Sequence, residues 1–60
     1  MKSHGLAKIL NDLPDKEVSL FWDGGARGEV EGIINDGEIV LVGDWSIYRN
    51  RYDESKIVYG

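Results

Sequence analysis

The start of the chain repeats apolar positions with the period of a helix. Four apolar side chains recur at intervals of three and four residues and form the apolar stripe of the helix: Leu6, Ile9, Leu10 and Leu13. Pro14 ends this pattern, because the residue before a proline is pushed out of helical geometry. The sequence therefore predicts a short amphipathic helix that must dock on another element, and Ser3 is expected to cap its start.

The pattern changes to a period of two from Val18 onward. Val18, Leu20 and Trp22 occupy alternate positions, which predicts a first strand. The glycine-rich residues 23–28 follow, and we interpret them as a flexible hairpin loop. A phosphate-binding loop would end in a lysine followed by serine or threonine and would lead into a helix, whereas a strand pattern follows here.

A β-hairpin is predicted in the middle of the chain. Its first strand runs from Glu29 to about Ile34 and its second from Glu38 to Val42, and the Asp36-Gly37 pair between them is a strong hairpin signal. A two-residue loop at this pair places Ile34 opposite Ile39. One face of the hairpin is then expected to receive the helix: Val30, Gly32, Ile34, Ile39, Leu41 and Gly43.

The C-terminal quarter fits two interpretations. Trp45, Tyr48 and Tyr52 have helical spacing, whereas Trp45 and Ile47 also fit a strand, and we favour extended structure. Residues 56–59 predict a short last strand. The whole chain, residues 1–60, is thus expected to form one α+β domain with a short N-terminal amphipathic helix packed on a three- or four-stranded antiparallel sheet.

Composition limits how this domain can be stabilised and where it can work. Cysteine is absent, so neither disulfides nor a thiolate zinc site can supplement apolar burial in the 60 residues. No apolar run approaches the ~20 residues that cross a bilayer, and the chain opens on an amphipathic segment, unlike a signal peptide. We expect a soluble cytoplasmic protein that does not bind a membrane.

Charge is distributed unevenly along the chain. Nine of the eleven acidic residues lie between Asp12 and Asp44, where only Lys16 and Arg27 oppose them, so this stretch carries a charge of −7 within a net charge of −4. The two flanks are basic. Such a field influences which partners the protein attracts, and it favours a larger protein with a basic surface.

Few residues are suited to catalysis or metal binding. The chain has one histidine, and we interpret His4 as an exposed residue near the terminus. Glu29 and Glu31 share a strand face and could share a proton or a hard cation, but the spacing of a metal-binding loop is absent. We therefore expect no enzymatic activity, no cofactor and no metal site.

The second face of the predicted hairpin combines apolar and acidic side chains and is the candidate partner-binding site: Glu29, Glu31, Ile33, Glu38, Val40, Val42 and Asp44. In the predicted register Glu29 stands opposite Asp44, and such a like-charge pair costs stability. The C-terminal segment could instead cover this strip, with Arg49 or Arg51 pairing with the acids. A homodimer through the strip is a further alternative.

An alternative nucleic-acid-binding site lies at residues 48–52. Tyr48, Arg49, Arg51 and Tyr52 combine aromatic rings that stack on bases with cations that hold phosphates. Against this role stands the acidic sequence pI of about 4.7, because nucleic-acid affinity rests mainly on a basic surface. We favour the interpretation in which the tyrosines pack on the sheet and the arginines neutralise its acids.

Two segments carry a resemblance to a group of known proteins. Leu10-Asn11-Asp12-Leu13-Pro14-Asp15-Lys16-Glu17-Val18, followed by a strand, a glycine turn and Asp36-Gly37-Glu38-Ile39-Val40-Leu41-Val42, resembles small uncharacterised proteins encoded by phages and prophages. Compact acidic members of this group are often inhibitors of host defence, including anti-CRISPR and anti-restriction proteins. The resemblance implies a non-catalytic inhibitor that docks on the nucleic-acid-binding surface of a host defence complex.

Overall fold

A computed structural model describes residues 1–25, 27–48 and 53–60 of the chain. Its elements in chain order are α1 (Ser3–Asp12), β1 (Val18–Phe21), β2 (Gly32–Asp36), β3 (Glu38–Val42), α2 (Trp45–Tyr48), a 3₁₀ turn (Glu54–Lys56) and β4 (Ile57–Tyr59). The four strands form one sheet in the order β1-β3-β2-β4. The expected α+β fold, with an N-terminal helix on a sheet, is confirmed. The sheet is not wholly antiparallel as expected, because β1 runs parallel to β3 and the sheet is therefore mixed.

The helix α1 ends where the sequence predicts but begins differently. Asp12 is its last residue, and the N–H of Leu13 donates to the carbonyl oxygen of Leu10 at 3.2 Å before Pro14 breaks the pattern. The prediction that Ser3 caps the helix is wrong. Ser3 is already helical, whereas Lys2 has the extended backbone of a capping residue and provides no side-chain hydrogen bond.

The apolar stripe of α1 packs on one face of the sheet. Its four side chains are half-buried, while the other side chains of the helix are exposed. Ile33 and Ile39 are 0% and 2% exposed on the sheet face that points away from the aromatic cluster around Tyr48. No residue of α1 is fully buried, so the helix docks shallowly.

The predicted register of the hairpin is wrong by one residue. Asp36 pairs with Glu38 and Ile34 with Val40, so the turn consists of Gly37 alone. Gly37 has a φ of 76°, in the left-handed region where a glycine is favoured. Because side chains alternate along a strand, this slip moves every side chain of β2 to the other face relative to β3.

The second face of the sheet carries the main core. Ile34, Val40, Val42 and Tyr48 are buried together, with Phe21, Trp45 and Ile57 packed around them. The rings of Phe21 and Tyr48 lie 4.0 Å apart between centroids and are tilted by 40°. Through this cluster the C-terminal part of the chain covers this face of the sheet.

The extended structure expected after Gly43 is wrong for residues 45–48. The carbonyl oxygen of Asp44 accepts hydrogen bonds from the N–H groups of Ile47 and Tyr48 at 3.2 and 3.1 Å, which forms the single turn α2. This turn places the aromatic side chains of Trp45 and Tyr48 on one side, facing the sheet. Residues 49–52 of the expected extended segment lie outside the described residues. The short last strand is confirmed as β4, from Ile57.

The connection between β1 and β2 is not the predicted hairpin loop. The two strands lie on opposite sides of β3, so the chain between them, of which residues 22–25 and 27–31 are described, passes the end of β3. Backbone hydrogen bonds hold this crossing, from Gly43 N to Phe21 O at 2.8 Å and from Glu31 N to Val42 O at 2.8 Å. As a result, β2 begins at Gly32, later than the predicted Glu29.

Candidate functional site

Trp22 organises the crossing between β1 and β2. Its indole lies so close to Gly24, Gly28 and Gly43 that a β-carbon at any of the three would overlap the ring. The indole N–H also donates to the carbonyl oxygen of Gly25 at 2.8 Å. The glycines of this segment therefore let the Trp22 ring pack directly against the backbone, where a larger residue would not fit.

A groove opens beside this tryptophan. It has a volume of about 300 Å³, and Leu20, Trp22 and Val30 supply its apolar side chains. Arg27 and Glu29 also line it, which gives the groove one charge of each sign. We call this feature the Trp22 groove. It combines an apolar floor with charged side chains, the usual composition of a recognition site.

The strand β1 presents apolar side chains next to the Trp22 groove. Val18 and Leu20 are 52% and 69% exposed. Among the strands that the structure describes, β1 pairs with β3 alone and so forms one edge of the sheet. Exposed aliphatic side chains on an edge strand are uncommon, since such edges invite association with another chain.

Within the described part of the chain, the backbone of β1 has one side without a partner strand. The carbonyl oxygens of Glu17 and Phe21 accept hydrogen bonds from Ile39 N and Gly43 N of the β3 side, at 2.9 and 2.8 Å. Hydrogen-bonding direction alternates along a strand, so the N–H and C=O groups of Val18 and Leu20 point away from β3. We call this side the open edge of β1.

The four acids of the predicted partner-binding face do not lie together as expected. Glu31 accepts a hydrogen bond from Trp45 N at 3.0 Å, and Asp44 accepts one from Asp23 N at 2.9 Å. These two carboxylates thus hold the backbone at one end of the sheet. Glu38 is exposed at the hairpin turn at the other end, and Glu29 lines the Trp22 groove.

The three apolar residues of that predicted face are core residues. Ile33, Val40 and Val42 are all buried. Val40 and Val42 lie in the cluster with Tyr48, whereas Ile33 projects from the other face of the sheet. The register slip separates them, and the C-terminal segment covers Val40 and Val42, as the alternative interpretation expected. The expected pairing of Glu29 with Asp44 is absent, because β2 begins only at Gly32, which pairs with Val42.

The alternative nucleic-acid-binding residues are only partly described. Tyr48 is 8% exposed and packs against Phe21, so its ring is not presented to a base. Arg49, Arg51 and Tyr52 lie outside the described residues. The expected pairing of Arg49 or Arg51 with the acids of the sheet therefore also lies outside the described residues.

Sequence reasoning missed Val18, Leu20, Trp22 and Val30 as surface candidates. Alternating apolar residues usually mark a buried strand face, and β1 departs from that common case. The available signal was Trp22 followed by closely spaced glycines, a pattern that places a large ring against bare backbone. The acids Glu17 and Asp23, which flank β1 in the sequence, are exposed at its two ends.

The remaining chemistry of the described residues is modest. His4 is exposed at the start of α1, and the described part of the chain brings no three His, Asp or Glu side chains together in a way that could hold a metal ion. None of its helices is long and apolar enough to span a membrane. The pKa of Asp53 lies below its ordinary value, because its carboxylate accepts a hydrogen bond from Ser55 N at 3.0 Å.

Comparison of the chain with protein-family models, with curated proteins and with solved structures gives no significant match.

Proposed function

We propose that this protein is a non-catalytic interaction module that binds a basic surface of a larger protein through β1 and the Trp22 groove. The observation that carries the proposal is the edge strand itself, on which Val18 and Leu20 are exposed between the carboxylates of Glu17 and Asp23. This surface replaces the hairpin face that the sequence suggested.

Apolar exposure supports binding at this edge. A domain of 60 residues has few apolar side chains with which to stabilise its core. Val18 and Leu20 are nevertheless more than half exposed. Completing the burial of each in a complex would contribute about 1–2 kcal/mol, since full burial of an aliphatic side chain is worth about 1.5–3 kcal/mol.

Charge supports a basic partner. The protein has a net charge of −4, and exposed carboxylates lie at both ends of β1. Glu31 and Asp44 are engaged with backbone N–H groups, so the exposed acids Glu17, Asp23 and Glu29 carry the proposed attraction. Steered association of this kind weakens with salt, because the Debye length falls from about 10 Å at 0.1 M to about 3 Å at 1 M.

The narrower form of the proposal concerns the kind of partner. The resemblance to phage and prophage proteins suggests the nucleic-acid-binding surface of a host defence complex. The charge of −7 between Asp12 and Asp44 supports this target, since carboxylates and phosphates would compete for the same cations. Double-stranded DNA should then displace the protein from its partner at fixed low salt. Simultaneous binding of DNA and protein would refute the narrower form alone.

Affinity capture from an extract of the native source tests the proposed function. The tagged full chain should retain a basic protein at low salt and release it at high salt. Glu17→Lys and Asp23→Lys should each reduce the amount captured. Glu54→Lys is the matched control, because it changes the net charge equally but lies beside β4 at the other edge of the sheet. Equal loss with all three variants would show that only net charge matters, and undiminished capture with the β1 variants would refute the proposed site.

A further inference from the structure

We infer that the partner contributes an extended segment, which adds to the open edge of β1 as a further strand of the sheet, and that this segment is apolar in its middle and basic at both ends. The inference rests on the proposed function and specifies how the same site works. It follows from the backbone, the side chains and the charges of β1 taken together.

The backbone of β1 requires an extended occupant. The N–H and C=O groups of Val18 and Leu20 point to the open edge, where they are spaced for strand pairing. A helix has no free backbone groups along its length to satisfy them, whereas an extended segment pairs with them directly. The main chain of the partner would therefore supply part of the affinity.

The opposite edge of the sheet is less suited to this role. The strand β4 has three residues and pairs with β2 through an irregular register between Ile33 and Ile34. Short and irregular edge strands are the usual protection against unwanted pairing. β1 keeps a regular register with β3 over its whole length, from Val18 to Phe21.

The side chains of β1 favour an apolar middle in the partner segment. Val18 and Leu20 project from the same face, because they are two residues apart on one strand. Leu20 also lines the Trp22 groove, so an apolar side chain on a neighbouring strand could enter the groove beside it. Arg27 and Glu29 line the same groove and would contact the polar parts of that segment.

The charges of β1 favour basic ends and disfavour a second copy of this chain. Glu17 and Asp23 are exposed at the two ends, while the Lys16 ammonium donates to Asn35 Oδ1 at 2.8 Å. Antiparallel pairing of two copies with Val18 opposite Leu20 would bring Asp15 of one copy level with Asp23 of the other, at both ends. Such like-charge contacts oppose self-pairing, whereas lysine or arginine at these positions would be attracted.

Binding of synthetic peptides to the full chain tests this inference. The probes share a centre of alternating valine and threonine, which as a strand presents one apolar face, and they carry two lysines, or two glutamates, at each end. A third probe has the lysine ends and a proline in its centre. Titration followed by tryptophan fluorescence should give an affinity for the first probe about tenfold or more above that for either of the others.

Two substitutions at one position separate backbone from side-chain effects. Leu20→Pro removes an N–H that points to the open edge and leaves the hydrogen bonds to β3 intact, so an edge strand tolerates it. Leu20→Thr keeps that N–H and shortens the side chain. The proline variant should lose about tenfold more affinity for the lysine probe than the threonine variant. Nuclear Overhauser contacts between the peptide and Val18 and Leu20 of the unmodified protein provide the same test if Leu20→Pro does not fold.

The outcomes distinguish the inference from the proposed function. Salt-sensitive binding of basic probes without contacts to Val18 or Leu20, and with equal affinity in the two Leu20 variants, would overturn strand addition and leave an acidic interaction module. Failure of every basic probe, together with failure of the affinity capture, would overturn both. A concentration-dependent dimer that Leu20→Pro abolishes would identify a second copy as the occupant and would also overturn the inference.

Discussion

The packing of Trp22 on bare backbone predicts a large cost for a single methyl group at Gly43. A β-carbon there would overlap the indole, and Gly43 is buried with its N–H bonded to Phe21 O. Because this hydrogen bond holds the backbone in place, the indole ring of Trp22 would have to move to make room for the methyl group. Overpacking of this kind costs about 1–3 kcal/mol. A domain of this size has roughly 3–9 kcal/mol of stability at about 0.05–0.15 kcal/mol per residue, so Gly43→Ala should lower the denaturation midpoint substantially.

Gly25→Ala is the matched control for this substitution. Gly25 lies in the crossing segment, its φ is not positive, and the position that a β-carbon would take there is open space. Its carbonyl oxygen, which accepts from Trp22, would be retained. Loss of backbone freedom in the unfolded chain should make Gly25→Ala neutral or more stable by up to about 1 kcal/mol.

Urea denaturation followed by tryptophan fluorescence and circular dichroism measures both effects. A double-mutant cycle with Trp22→Leu isolates the contact, since a smaller side chain should recover most of the stability lost in Gly43→Ala. Equal midpoints for Gly43→Ala and Gly25→Ala would refute the packing of Trp22 on Gly43. An undiminished cost of Gly43→Ala in the Trp22→Leu background would show that another contact is responsible.

Three further predictions concern the helix, the core and the C-terminal turn. Leu10→Ala should lower the free energy of unfolding by about 1–2 kcal/mol in urea denaturation, because the apolar stripe of α1 is only half-buried. Ile34→Ala should lower it by about 3–5 kcal/mol, because Ile34 is fully buried. Equal losses for the two variants would contradict the shallow docking of α1. Gly5→Ala should raise stability by about 0.5–1 kcal/mol, since Gly5 is helical with free space around it; a lower midpoint would mean that α1 is packed more tightly there. NMR titration should give Asp53 a pKa below the ordinary value of an aspartate. Its cap then stabilises the folded state at neutral pH, and this contribution is lost as the pH falls through the lowered pKa. An unshifted pKa would show that the hydrogen bond from Ser55 N is not formed.

Local patterns were sufficient to predict several elements. The stripe of α1 and the break at Pro14 depend only on neighbours in sequence, and the structure ends the helix at Asp12. The strands β1 and β3 match their predicted bounds almost to the residue, because alternation and the turn at Gly37 are also local. These signals determine where an element lies and not what it packs against.

The register and the strand order could not be predicted from the same signals. Ile33 and Ile34 are both buried, and so are Ile39 and Val40, so both faces of the hairpin are covered. A strand that is apolar on both faces carries no alternation by which to choose between registers one residue apart. The parallel pairing of β1 with β3 is non-local, and the contact of the Trp22 ring with Gly43 accompanies it.

The acidic charge of the candidate site could be predicted from the sequence, but the residues that form the site could not. The acidic charge of the middle of the chain is evident from composition, but composition does not tell which carboxylates hold the backbone. Glu31 and Asp44 accept backbone hydrogen bonds, whereas Glu17 and Asp23 flank the exposed strand. This division depends on the turn α2 and on the crossing segment, which bring Trp45 N and Asp23 N to the two acceptors.

Amide hydrogen exchange of the full chain, alone and with its captured basic partner, tests the central claim most directly. The open edge of β1 should exchange rapidly in the free protein, and binding should slow exchange at Val18 and Leu20 while leaving the hairpin turn at Gly37 unchanged. Unchanged exchange at Val18 and Leu20 in the complex, with protection at the hairpin turn or along α1, would contradict the assignment of β1 as the docking edge.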